Sequence, residues 1–133
     1  MTQSEMIVDS NIVIYAIDPQ YQFLRKWIKG RAPAVSDISR LEVFGFHKIT
    51  ANDKQEYTQL FQQMTVLPLS SIIVDRAIVL RQTKKMSVGD ALIAATALEY
   101  KLKLVSRNKG DFIWIPGLQV FDPFDPTDFQ QIV

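Results

Sequence analysis

Five short stretches suited to β-strands, at residues 6–9, 34–36, 65–69, 103–106 and 118–121, alternate with longer helical segments, and this alternation limits the fold more than any other feature. It predicts an α/β protein: a three-layer α/β/α sandwich around a central, mostly parallel sheet. Functional residues of such sheets gather beyond the C-terminal ends of the strands. At 133 residues, 47% of them hydrophobic, the chain fits a single domain, 1–133, with a core of its own.

The helical segments carry recognisable punctuation. Ser10 and Asn11 offer capping chemistry before an apolar segment at 12–17, which Asp18-Pro19 stops. An amphipathic segment at 20–30 places Phe23, Leu24, Trp27 and Ile28 on one side and ends at Gly30. The next helix starts near Asp37 or Ser39 and runs to about His47, with Ser39 and Glu42 spaced as a capping box. A further helix covers 52–64. Ser70-Ser71 caps another that reaches about Lys84 and buries Ile73, Ala77 and Leu80. The segment 91–100, rich in alanine and leucine, reads as the most buried helix. Residues 107–112 form a turn or short helix, and 118–121 an edge strand. Asp122-Pro123-Phe124-Asp125-Pro126 can neither extend a strand nor start a long helix, so residues 122–133 are expected to be a surface or mobile tail.

Composition removes several chemistries. With no cysteine there is no disulfide, thiolate metal site or thiol nucleophile. The one histidine, His47, has no second histidine for a metal pair and reads as a surface or packing residue. No stretch is long enough for a membrane span, and the opening Met1-Thr2-Gln3-Ser4-Glu5 lacks a signal-peptide pattern, so a soluble, cytoplasmic protein is expected. A net charge of +1 conceals an uneven distribution, with basic groups at Arg25-Lys26-Lys29-Arg31, Arg81-Lys84-Lys85 and Lys101-Lys103-Arg107-Lys109. These are either ordinary solvated faces or a basic rim suited to nucleic acid.

Three acids interrupt otherwise apolar runs: Asp9 after Met6-Ile7-Val8, Glu42 in Leu41-Glu42-Val43-Phe44, and Asp90 before Ala91-Leu92-Ile93. A carboxylate beside apolar surface costs several kcal/mol unless compensated, and the sequence puts no basic partner beside them. Each also has a structural reading: Asp9 as a helix cap, Glu42 as the capping-box partner of Ser39, Asp90 as a first-turn acid favoured by the helix dipole. Taken together they suggest an oxygen-ligated hard cation, Mg²⁺ or Mn²⁺, serving phosphodiester hydrolysis. Ser10, Asn11, Ser106, Asn108 and Asp111 are polar residues able to orient ligands or phosphate, although each is also a common turn or cap residue.

The run Ile7-Val8-Asp9-Ser10-Asn11-Ile12 resembles the first acidic motif of PIN-domain ribonucleases, and Ser39 through Glu42 resembles the second. Gly89-Asp90-Ala91-Leu92-Ile93-Ala94-Ala95 is similar to the third, followed by Leu104-Val105-Ser106-Arg107-Asn108 and Asp111-Phe112. The likeness covers nearly the whole chain and is greatest to VapC-type toxins of toxin–antitoxin pairs. It implies an α/β/α sandwich, Mg²⁺ or Mn²⁺, endonucleolytic RNA cleavage, a homodimer, and inhibition by a small antitoxin. By position it makes Asp9, Glu42 and Asp90 the catalytic, metal-binding carboxylates, with Ser106 supporting them. Many such proteins have an aspartate where this chain has Asn108, and others use an acid placed like Asp111, so Asp111 is a further candidate ligand and Asn11 and Asn108 supporting residues.

Two other functions remain open. An aspartate-dependent phosphatase would use Asp9 as nucleophile but ordinarily needs a second aspartate where this chain has Asn11. A PIN-like RNA- or protein-binding module without activity would fit the uncharged Asn108.

Overall fold

A computed structural model describes residues 4–133, so Met1-Thr2-Gln3, part of the opening without a signal-peptide pattern, lies outside the described residues. Among these residues five parallel strands form one sheet: β1 (Met6–Val8), β2 (Ala34–Ser36), β3 (Thr65–Leu67), β4 (Lys103–Val105) and β5 (Val120–Phe121). Their spatial order is β3-β2-β1-β4-β5, with every neighbouring pair parallel. Chain order reverses between β1 and β4. This makes their C-terminal ends the crevice where such sheets take ligands.

Among the described residues seven α-helices surround the sheet: α1 (Ser10–Ala16), α2 (Gln22–Arg31), α3 (Asp37–Phe44), α4 (Ala51–Gln62), α5 (Ser71–Thr83), α6 (Val88–Tyr100) and α7 (Pro126–Gln130). Successive strand residues point to opposite faces, so the strands divide two cores between them. Met6, Val8, Val35, Val105 and Phe121 join the core shared with Ile12, Leu24, Trp27, Leu60 and Ile132. Ile7, Ala34, Leu104 and Val120 join the core under α5 and α6, which includes Ile73, Ala77, Leu80, Ile93 and Phe112. The expected sandwich is present, and α5 buries the predicted Ile73, Ala77 and Leu80. In α6, Ala91, Ala94, Ala95 and Ala97 are all buried, and their small side chains let the helix approach its neighbours closely. No helix among the described residues is long and apolar enough to cross a membrane.

Three local expectations are corrected. α2 passes through Gly30, and Ala32 takes the left-handed cap at φ +46°, because Pro33 bars the residue before it from continuing the helix. α3 stops at Phe44 rather than near His47, which is exposed and packs its ring against Phe46. Of the two expectations for residues 122–133, surface or mobile, the segment lies at the surface but is docked there. The Trp27 indole Nε1–H donates to the Ile132 carbonyl at 2.7 Å, and the Ile132 side chain is buried in the first core. Asp128 accepts from the Asp122 N–H and the Lys109 ammonium, each at 2.9 Å, which ties the tail to the segment after β4. The prolines do restrict this region: α7 is only five residues long.

Candidate active site

The sheet delivers Asp9 and Ser106 side by side. Asp9 directly follows β1, Ser106 directly follows β4, and the Asp9 N–H donates to the Val105 carbonyl at 2.9 Å. Both side chains are buried, and the Ser106 hydroxyl donates to Asp9 Oδ2 at 2.8 Å. The same Ser106 oxygen accepts the Asn108 N–H at 3.1 Å, which fixes the start of the loop leading to Asp111. Asp9 occupies the N-cap position of α1, but its side chain accepts no capping hydrogen bond there. Its carboxylate is therefore free of the structural role that could have explained it.

Glu42 is likewise not a capping residue. Ser36 caps α3 by accepting from the Ile38 N–H, while Ser39 lies fully buried inside the helix. The Ser10 hydroxyl donates to Glu42 Oε1 at 2.8 Å and lies 2.7 Å from the Ser39 hydroxyl. As the Ser10 proton goes to Glu42, Ser39 is the donor to Ser10, and the chain Ser39 to Ser10 to Glu42 is satisfied in one direction. Glu42 itself is exposed rather than turned into apolar surroundings. On its other side stands Gly89, where a Cβ would lie 2.7 Å from Glu42 Oε2.

Asp90 sits in the first turn of α6, whose N-cap is the Ser87 hydroxyl accepting from the Asp90 N–H at 3.1 Å. It is half-buried and shares a cleft of about 510 Å³ with Asp111, Arg81, Lys84, Lys85 and Trp114. Asp111 closes a short 3₁₀ turn at Lys109–Asp111 and is exposed. Asn11 and Asn108 are exposed, and neither side-chain amide makes a hydrogen bond among the described residues. Of the two candidates at the fourth acidic position, Asp111 is the one whose charge reaches Asp90.

The electrostatics link Asp9 with Asp90 and Glu42, and Asp90 with Asp111 and Glu42. Burial pushes the Asp9 carboxyl up from its ordinary 3.8 to about 6; the Ser106 hydrogen bond opposes this, and the charges of Asp90 and Glu42 add to it. Burial also raises Asp90, followed by the charge of Asp111; the Ser87 hydroxyl opposes the rise and Glu42 reinforces it. Among the described residues no arginine or lysine forms an ion pair with Asp9, Glu42, Asp90 or Asp111. Nor are three or more acidic or histidine side chains already closed around a point where an ion could sit. Like charges separate unless a cation draws them in, and both Glu42 and Asp111 are exposed to solvent. An all-oxygen donor set without a basic partner, in which burial and neighbouring charge raise Asp9 and Asp90, fits a hard divalent cation.

Comparison with known proteins agrees with this architecture. Residues 6–115 match the PIN domain model, so the chain belongs to the PIN domain family. A toxin–antitoxin complex from Klebsiella pneumoniae contains a chain 31% identical to this one, at TM-score 0.71, over 90% of this chain and 98% of that one. A DNA-bound VapBC from Salmonella typhimurium is 20% identical at TM-score 0.77, again over 90% of this chain and 98% of that one. VapBC2 from Rickettsia felis, bound to a promoter DNA fragment, is 22% identical at TM-score 0.73, over 88% and 97%. No curated protein sequence gives a significant match.

Four site features were not legible in the sequence: the Ser39–Ser10–Glu42 relay, the room that Gly89 leaves, the double role of Ser106, and the cleft joining Asp90 to Arg81 and Lys84. Ser10 and Ser39 are 29 residues apart, and Ser106 is 97 residues from Asp9, so no local pattern connects them. The Gly-Asp pair opening α6 was the only nearby signal for Gly89.

Proposed function

We propose that this protein is a metal-dependent endoribonuclease, the toxin of a VapBC-type toxin–antitoxin pair. The observation that carries the reading is the buried Asp9 carboxylate, without a basic partner, at the point where strand order reverses and within the fields of Asp90 and Glu42, with Asp111 acting in turn on Asp90. Asp9, Glu42 and Asp90 would be the principal ligands of Mg²⁺ or Mn²⁺, with Asp111 the fourth acid. The bound ion supplies a lowered pKa for water and charge stabilisation at the phosphate. The Ser106 hydroxyl holds Asp9 by Oδ2, and the Ser10 hydroxyl holds Glu42 by Oε1. Asp90, half-buried and raised first by burial and then by the charge of Asp111, would take a proton from the attacking water.

The phosphatase reading loses support because Asn11 is exposed and uncharged. A small antitoxin partner, a homodimer and a cytoplasmic site of action follow from the same reading; the toxin–antitoxin complex from Klebsiella pneumoniae supports the first of these.

Purified protein incubated with single-stranded RNA and Mn²⁺ should yield internal cleavage products, whereas EDTA or Asp9→Asn should abolish them. Cleavage unchanged in Asp9→Asn would refute the assignment. A folded protein that neither cuts RNA nor binds Mn²⁺ at millimolar levels would be the inactive binding module instead.

A further inference from the structure

Beside the acids lies a second group of charges that the proposed chemistry does not use. The cleft containing Asp90 and Asp111 continues onto Arg81, Lys84 and Lys85 at the end of α5 and in the turn leading to α6. Acids and bases sharing a cleft would ordinarily pair, yet among the described residues none of these three cations meets a carboxylate at ion-pair distance. Two of them are held in place by neutral groups instead. The Arg81 Nε–H donates to the Met86 carbonyl at 3.1 Å, and the Lys84 ammonium stands 5.5 Å from the centre of the Trp114 ring. Trp114 is itself pinned, its Nε1–H donating to the Asp111 carbonyl at 3.0 Å. A neutral partner orients a cation without cancelling its charge.

We propose that Arg81, Lys84 and Lys85 form the track for the phosphates of a single-stranded RNA next to the phosphodiester that is cut, with Trp114 as the positioning residue for Lys84. This inference rests on the nuclease reading. Asp90 and Asp111 repel a polyanion, and the cationic wall in the same cleft offsets that repulsion while leaving the acids unpaired. Backbone neutralisation of this kind holds a strand without reading its sequence, so the track sets strand position and path rather than base choice.

The test is binding of a fluorescein-labelled, mixed-sequence single-stranded RNA, followed by anisotropy in EDTA over a series of salt concentrations, so that hydrolysis is arrested. Lys84→Gln combined with Lys85→Gln should weaken binding about tenfold at low salt and reduce the slope of log affinity against log salt by about 1.4, as expected for two lost contacts at about 0.7 each. Trp114→Leu should give a smaller loss with the slope partly reduced. Lys26→Gln combined with Lys29→Gln, the same change of charge on α2, should leave both quantities as they were. Unchanged affinity and slope in the Lys84, Lys85 variant, equal losses in the α2 control, or no binding by the unmodified protein would each overturn the track. If the Lys84, Lys85 variant instead alters sedimentation while RNA binding is untouched, the face is a protein–protein surface. Failure of the underlying nuclease reading is scored separately, by the absence of RNA cleavage with Mn²⁺.

Discussion

Gly89 and Glu42 approach so closely that a single methyl group at Gly89 would lie 2.7 Å from Glu42 Oε2. The obstructing atom is the end of a flexible side chain, so it is the carboxylate that must move and not the backbone. Gly89→Ala should therefore separate function from stability. Alanine in the first turn of α6 should be neutral or stabilise the fold by up to about 1 kcal/mol in urea denaturation. Displacement of Glu42 should weaken Mn²⁺ binding by about tenfold or more in calorimetric titration. A variant with undiminished Mn²⁺ affinity would show that Glu42 is not a ligand.

The serine relay predicts an order of effects. Ser10→Ala strands the fully buried Ser39 hydroxyl and releases Glu42, and should cost about 1–3 kcal/mol in stability together with a loss of cleavage. Ser39→Ala leaves the bond from Ser10 to Glu42 intact, so it should cost less and retain most of the activity. Reversal of this order in urea titrations would contradict the assigned direction of the protons.

Asp9 gives the metal-free protein an unusual pH dependence. Its folded-state pKa, raised from 3.8 to about 6, means that the fold takes up a proton over this range that the unfolded chain has already released. The stability associated with neutral Asp9 is complete below the unfolded value and is lost as the pH rises towards about 6; above that the ionised group costs about 3 kcal/mol. In EDTA at about pH 7.5, Asp9→Asn should accordingly raise the urea midpoint, by up to about 3 kcal/mol in stability. Mn²⁺ should raise it further for the unmodified protein and little for the variant. Destabilisation of the metal-free fold by Asp9→Asn would contradict the unpaired state assigned to Asp9.

The docked C-terminal segment is a structural requirement. Ile132→Ala should cost about 2–5 kcal/mol, because it opens a cavity where the side chain is only 1% exposed. Removal of residues 122–133 would also take away the acceptor of the Trp27 indole, and the shortened protein should show lost cooperativity in thermal denaturation. Melting unchanged by either alteration would mean that the tail contributes little.

The strands, the helix stripes and two of the acids could be read from the sequence because they depend on near neighbours. Ile73, Ala77 and Leu80 fall at helical spacing, and Asp9 and Asp90 adjoin apolar runs at element boundaries. What could not be read depends on distant partners. Residues 122–133 look mobile by local propensity, and they are fixed by Trp27, which lies 105 residues from Ile132. The spacing of Ser39 and Glu42 matched a capping box, but Ser36 had already satisfied the helix start, leaving both residues to meet Ser10 on the neighbouring helix α1. The strand order that turns Asp9 and Ser106 into neighbours is likewise a property of the assembled sheet.

The most direct measurement is an anomalous difference map from a crystal of this protein grown with MnCl₂. A manganese peak about 2.0–2.6 Å from oxygens of Asp9 and Asp90, with Glu42 or Asp111 turned towards it, is the predicted result. A well-ordered site in which these four side chains remain apart, with no peak between them at millimolar manganese, would contradict the account.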